Sequence, residues 1–142
     1  MTDEFMPANV LEEKLLSLYQ GQIDLPLFVQ VLLNSKVVVA LDKEIDKNQP
    51  NWGMNPLVLM SPKGYRMLAA FTSPERINMW FKAFPNYRHS LYTDTRWFLK
   101  GATDDVGFGL NPGWPYGLEI DPSGLKRLKD DFGIKGTPNQ AL

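Results

Sequence analysis

Phe71-Thr72-Ser73-Pro74-Glu75-Arg76, followed by Ile77, Trp80, Phe81 and Phe84, is the stretch that sets the centre of the fold. A strand ends at Phe71, and Thr72 or Ser73 supplies an N-cap for the helix that follows. Pro74 falls in the first helical turn, where its missing N–H costs nothing, and Glu75 opposes the positive end of the helix dipole. Ile77, Trp80, Phe81 and Phe84 recur at helical spacing, which predicts that this face packs into the core. The free N–H groups at the start of this helix make Ser73 a candidate anion-binding residue. Glu75 opposes that reading, and self-capping is the simpler role.

Upstream, Leu57–Met60 and Tyr65–Phe71 read as strands joined through Ser61-Pro62-Lys63-Gly64, a proline-second, glycine-fourth turn that predicts a hairpin. Val37–Leu41 is a continuous run rich in β-branched residues, the pattern of a strand covered on both faces. Asp42 to Gly53 reads as a polar loop carrying Pro50 and Trp52. Before it, Asn9 and Glu12 form a capping box ahead of a stripe of Val10, Leu11, Leu15, Leu18 and Tyr19, which Gly21 ends. Asp24 and Pro26 open a second helix, with Leu27, Phe28, Val31 and Leu32 expected inward. The short link makes an αα-hairpin.

Downstream, Pro85-Asn86 ends the central helix and Tyr87–Tyr92 reads as a short strand. Thr93 or Asp94 caps a short helix ending at Gly101. Val106–Leu110 and Tyr116–Ile120 read as strands around Asn111-Pro112-Gly113-Trp114-Pro115, and Asp121-Pro122 starts a last helix containing Leu125 and Leu128. The order αα-β-ββ-α-β-α-ββ-α predicts an α+β (α/β-like) fold, a mixed sheet of about five to six strands flanked by helices. One domain is expected over 1–142, with the helical hairpin at 1–34, the α/β core at 35–132 and a loose tail at 133–142.

A chain of 142 residues can bury roughly 68% of its unfolded surface as one domain. Its 44% hydrophobic and 12% aromatic content suits a globular core and excludes disorder. A formal net charge of −1, with no run of like charges, gives no electrostatic reason to expect nucleic acid or an anionic membrane. The absence of cysteine excludes disulfides, thiolate catalysis and Cys-ligated metal centres. The acidic start Met1-Thr2-Asp3-Glu4 lacks the features of a signal peptide, and no segment reaches the roughly 20 apolar residues that span a bilayer. A cytoplasmic location is the expectation.

The chemistry-bearing motifs are incomplete. His89 is the only histidine, and on a strand Ser90 points to the opposite face. Asp42, Glu44 and Asp46 alternate like calcium ligands, but Lys47 and Gly53 stand where an EF-hand loop needs glycine and glutamate. Asp104-Asp105 and Asp130-Asp131 read as surface charges. Gly107-Phe108-Gly109 runs into Asn111-Pro112-Gly113, which cannot continue as the helix of a dinucleotide site. These glycines are expected to relieve crowding in a strand beneath a helix. No catalytic residue, metal site or cofactor is expected. Trp52 and Trp114, in proline- and glycine-rich loops, are either lids on the core or anchors for a partner.

Phe71-Thr72-Ser73-Pro74-Glu75-Arg76, then Gly107-Phe108-Gly109-Leu110-Asn111-Pro112-Gly113, Tyr116-Gly117 and Asp121-Pro122, resemble the SseB N-terminal-domain family of bacterial proteins. This family is named for a protein linked to enhanced serine sensitivity, and the resemblance spans about Ser35 to Leu128. The family's "F-T-S-x-E" helix start and "G-x-x-L-N-P" strand-to-turn segment both occur here in order. The resemblance implies an α/β domain without a cofactor or established catalytic residues, in a single-domain form; longer members carry a second, C-terminal domain. It does not extend to the type III secretion translocon protein of the same short name, whose long amphipathic segments are missing.

The resulting expectation is a non-catalytic protein-interaction module. Trp52, Asn111, Trp114 and Tyr116 are its candidate partner-binding residues. A small-molecule-binding regulatory domain linked to amino-acid metabolism, or a toxin-neutralising immunity-type protein, are the alternatives. A homodimer through exposed strand edges or the loop tryptophans is a further option.

Overall fold

The computed structural model describes residues 6–42 and 56–134. Trp52, most of the loop around it, Glu44 and Asp46, and the tail beyond Ile134 lie outside the described residues. The N-terminal pair is α1 (Val10–Tyr19) and α2 (Leu25–Leu33). Asn9 caps α1 by accepting from the Glu12 N–H, and Asp24 caps α2 by accepting from the Leu27 N–H. Strand β1 (Lys36–Leu41) follows, then β2 (Val58–Met60) and β3 (Arg66–Ala70). The β2–β3 turn closes as the sequence predicts, through Gly64 N–H donating to Ser61 C=O at 2.9 Å.

A 3₁₀ turn (Pro74–Ile77) leads into α3 (Asn78–Ala83), then β4 (His89–Asp94) and α4 (Thr95–Lys100). The chain ends its described part with β5 (Gly107–Leu110), β6 (Leu118–Ile120) and α5 (Pro122–Asp131). This is the expected α+β class, with one difference. The six strands among the described residues divide into a four-stranded sheet, β2-β3-β5-β6, and a two-stranded ribbon, β1-β4. The β3–β5 pair is parallel and the others antiparallel. Isolated bridges at Val38–Phe71 and Leu41–Pro56 join ribbon to sheet.

Alternation along β1 and β3 sorts their side chains into two cores. Val37, Val39, Leu41, Leu68 and Ala70 pack with the α1, α2, α4 and α5 residues Leu15, Phe28, Phe98 and Leu125. Val38, Ala40, Met67, Ala69 and Phe71 pack on the other face with Ile77, Trp80, Phe81 and Phe84. Of that last group only Ile77 is fully buried; the three aromatics are half-exposed.

Several inward assignments also shift. In α2 the buried set is Phe28, Val29, Leu32 and Leu33, while Leu27 is 46% exposed. In α1, Leu11 and Leu15 are buried but Val10 and Tyr19 are exposed. Two residues that the sequence assigns to a loose tail, Gly133 and Ile134, are among the described residues and are held by backbone hydrogen bonds. Ile134 is buried, and its N–H donates to Lys129 C=O at 2.8 Å.

Candidate functional site

The junction after β3 is built around a charge pair that sequence spacing conceals. Arg76 and Glu12 lie 64 residues apart, yet Nε and Nη2 of Arg76 donate to both Glu12 oxygens at 3.0 and 2.8 Å. The pair is sealed, with side-chain exposures of 8% for Arg76 and 0% for Glu12. Its remaining valences are filled. The Thr72 hydroxyl and the Ala8 N–H donate to Glu12, and Arg76 also donates to the Met6 carbonyl at 2.7 Å. Asn9 Nδ2 donates to Thr72 C=O at 2.8 Å. Burial alone would raise the Glu12 pKa, but donation from Arg76, Thr72 and the Ala8 N–H outweighs it and holds the group at about 2. Glu12 is therefore an ionised carboxylate at neutral pH, with both oxygens accepting hydrogen bonds. Its side chain reaches the Ala8 N–H rather than closing a capping box on Asn9.

The same seam reaches the turn after β5. Asn111 is buried, with a left-handed φ of 55°, a conformation Asn tolerates better than most residues. Its Oδ1 accepts from the Thr72 N–H at 2.9 Å, and its Nδ2 donates to Thr72 Oγ1 at 2.9 Å and to Tyr116 C=O at 3.3 Å. Pro112 and Gly113, the latter at φ 87°, complete the turn, and Trp114 N–H donates back to Asn111 C=O. The Trp114 ring lies under the Arg76 guanidinium at 4.8 Å and its Nε1 donates to Arg76 C=O at 2.8 Å. Trp80 Nε1 fixes the turn from the other side through Pro112 C=O at 2.9 Å.

Three of the four expected partner-binding residues thus come together at one turn. Asn111 is spent on the seam. Trp114 is half-buried and tied to Arg76, a lid on the core more than a free anchor. Tyr116 is half-buried, meeting the Tyr19 ring edge-on at 4.9 Å. Trp52, the fourth, is outside the described residues. The anion reading of Ser73 is corrected by its surroundings. Ser73 is buried, makes no cap bond to the helix, and donates to Glu75 at 3.2 Å beside the Glu12 carboxylate. An incoming anion would meet two like charges.

Beside this turn opens a cleft of about 350 Å³, bordered by Tyr19, Lys63, Met67, Trp114 and Glu119, with Gly109 in its floor. A Cβ on Gly109 would stand 2.7 Å from Met67 Sδ, and one on Gly107 would collide with the Ile120 carbonyl and stand 2.8 Å from the Tyr65 ring. Gly109 therefore admits a side chain of β3, and Gly107 the backbone of β6 and the Tyr65 ring, rather than an overlying helix as the sequence suggests. Ser61 and Tyr65 both donate to Glu119 Oε1, at 2.8 and 2.9 Å. Burial, then donation to Glu119, raises the Tyr65 pKa above its ordinary value. Tyr19 closes the near end, its hydroxyl bonding both Gly117 C=O (2.6 Å) and Gly117 N–H (3.2 Å).

The sequence pattern held signals for the missed residues. Glu12 sits between Leu11 and Leu15 on the inward side of α1, and Arg76 precedes Ile77 and falls four residues before Trp80. A charge set into an apolar helical face implies a partner, although it does not say which. Among the described residues no group of His, Asp and Glu is arranged to hold a metal ion, and no helix is long and apolar enough to cross a membrane.

Fold and seam together define a two-core α+β domain whose β5–β6 turn is locked by a buried Glu–Arg pair. The sequence matches the SseB protein N-terminal domain over residues 11–127, and the chain belongs to that family. Comparison with curated proteins and with solved structures gave no match.

Proposed function

We propose that this domain is a non-catalytic protein-interaction module of the bacterial cytoplasm, presenting the cleft beside Pro112–Trp114 to a protein partner. The observation that carries the reading is the coupling of a rigid turn to an accessible rim. Tyr19 is 51% exposed and borders the cleft, and Met79, 45% exposed, lies against Gly113. Tyrosine and methionine are enriched where proteins meet, and a rim held in place before binding loses little entropy on association. Glu12, saturated and held at about 2, is itself a poor base or acid near neutral pH.

The test is affinity purification from the native cell with the wild-type chain, Lys63→Glu, and Lys126→Glu on the outer side of α5 as a control. A partner lost with Lys63→Glu and kept with Lys126→Glu supports the cleft. Equal recovery with all three rejects it. A small-molecule ligand is the second reading, favoured by a cleft volume within the roughly 300–1,000 Å³ range of ligand sites. A thermal-shift screen of amino acids and nucleotides separates the two, because a ligand bound to the folded state raises Tm by mass action. A toxin-neutralising role is a special case of the first reading, in which the recovered partner is itself toxic.

A further inference from the structure

We propose that strand β4 pairs with the β4 of a second copy of this chain, antiparallel and centred on Leu91. Three sheet edges are open among the described residues. The β2 and β6 edges are three residues long, and Tyr19 bonds the backbone of Gly117 just before β6. The β4 edge is six residues, His-Ser-Leu-Tyr-Thr-Asp, without the proline, lysine or bulge that natural edges use against association.

The hydrogen-bond phase of this edge follows from its neighbour. Val38 exchanges both backbone bonds with Phe71 at 2.8 Å, and Ala40 C=O accepts from Leu57 N–H, so the even residues of β1 face away from β4. The odd residues Val37, Val39 and Leu41 therefore bond their register partners Thr93, Leu91 and His89. Ser90, Tyr92 and Asp94 are left with their outward backbone groups on the open edge. Antiparallel pairing of two such edges must place even residues opposite even residues.

Charge selects the register. Arg88 precedes the strand and Asp94 ends it, both exposed and outside any ion pair among the described residues; Arg88 Nε donates to Pro85 C=O at 3.1 Å, and Asp94 stands opposite Lys36 of β1. Centring the two-fold axis on Leu91 sets Ser90 opposite Tyr92 and Arg88 opposite Asp94, twice. The Ser90–Tyr92 pairs exchange four backbone bonds, and the Arg88–Asp94 pairs lie on one face, where opposite charges attract. Tyr92, 62% exposed with the Lys36 ammonium 5.5 Å from its ring centre, gains a further neighbour on that face, and the two Leu91 side chains meet at the axis on the other. A shift of two residues either way loses the charge match. Such an isologous contact closes at the dimer and joins two ribbons in the order β1-β4-β4-β1.

Sedimentation velocity over a concentration series tests the proposal, with folding of every variant checked by circular dichroism. The wild-type chain is expected to show a reversible monomer–dimer equilibrium. Arg88→Asp alone and Asp94→Arg alone should each raise the dissociation constant about tenfold, because each turns both attractive pairs repulsive. Asp94 makes no side-chain cap bond, so its replacement removes no hydrogen bond from the start of α4. Mixing the two single variants should restore a dimer, since one chain presents two acids and the other two bases. The double variant should restore a homodimer. In amide exchange, Ser90 and Tyr92 N–H should become protected as the dimer forms. A chain that stays monomeric at every concentration overturns the proposal. So does a dimer indifferent to the charge swaps, or two single variants that fail to associate when mixed.

Discussion

The buried seam at Thr72–Arg76 and the open cleft beside Pro112–Trp114 share a wall and use similar residue types to different ends. In the seam a carboxylate, a guanidinium, a hydroxyl and an amide satisfy one another out of water. In the cleft Lys63, Glu119 and Tyr19 keep a face toward solvent. The contrast teaches that the most distinctive motif in the chain is a fastening. It joins α1 to the 3₁₀ turn and holds the neighbouring turn still, and the accessible chemistry lies on the other side of that turn.

The largest break in this contrast comes from Arg76→Ala. It leaves Glu12 buried without its counter-charge, and urea denaturation should show a loss of about 3–5 kcal/mol. Acid acts on the same group. The folded pKa of Glu12 is depressed from 4.5 to about 2, so its contribution is fully present above 4.5 and is lost as pH falls through 4.5 toward 2. That contribution is about 3 kcal/mol. Stability measured across this window should fall in the wild type, and the step should be missing in Glu12→Gln.

Asn111→Ala should cost about 2–3 kcal/mol. It removes both bonds to Thr72 and places alanine at a positive φ. It should also loosen Trp114, read out as a shift in tryptophan fluorescence. Lys63→Glu belongs to the other side of the comparison. Its stability should change by no more than about 0.5 kcal/mol, because the residue is exposed, while partner or ligand binding at the cleft should fall.

Local chemistry was the part of the fold legible in the sequence. The caps at Asn9 and Asp24, the Ser61–Gly64 turn and the Asp121-Pro122 helix start all depend on residues a few positions apart, and each stands where its pattern places it. Order and type of elements followed from these. What stayed hidden depends on distant neighbours. Nothing local says that Glu12 meets Arg76, or that Asn111 turns inward to Thr72. The 3₁₀ start after Ser73 was hidden too, because Pro74 suits either helix type and the difference lies in what the first turn packs against. Trp114 shows the limit most directly. Its loop composition left lid and anchor equally open, and only the stacked Arg76 decides how the ring is held.

A double-mutant cycle on Glu12→Leu and Arg76→Met, followed by urea denaturation, tests the fastening most directly. Each single variant strands a buried charge and should lose about 3 kcal/mol or more. The double variant replaces the pair by apolar groups and should lose far less than the sum, because neither charge is left unpaired. Additive losses would contradict the account, and would mean that Glu12 and Arg76 stabilise the domain independently.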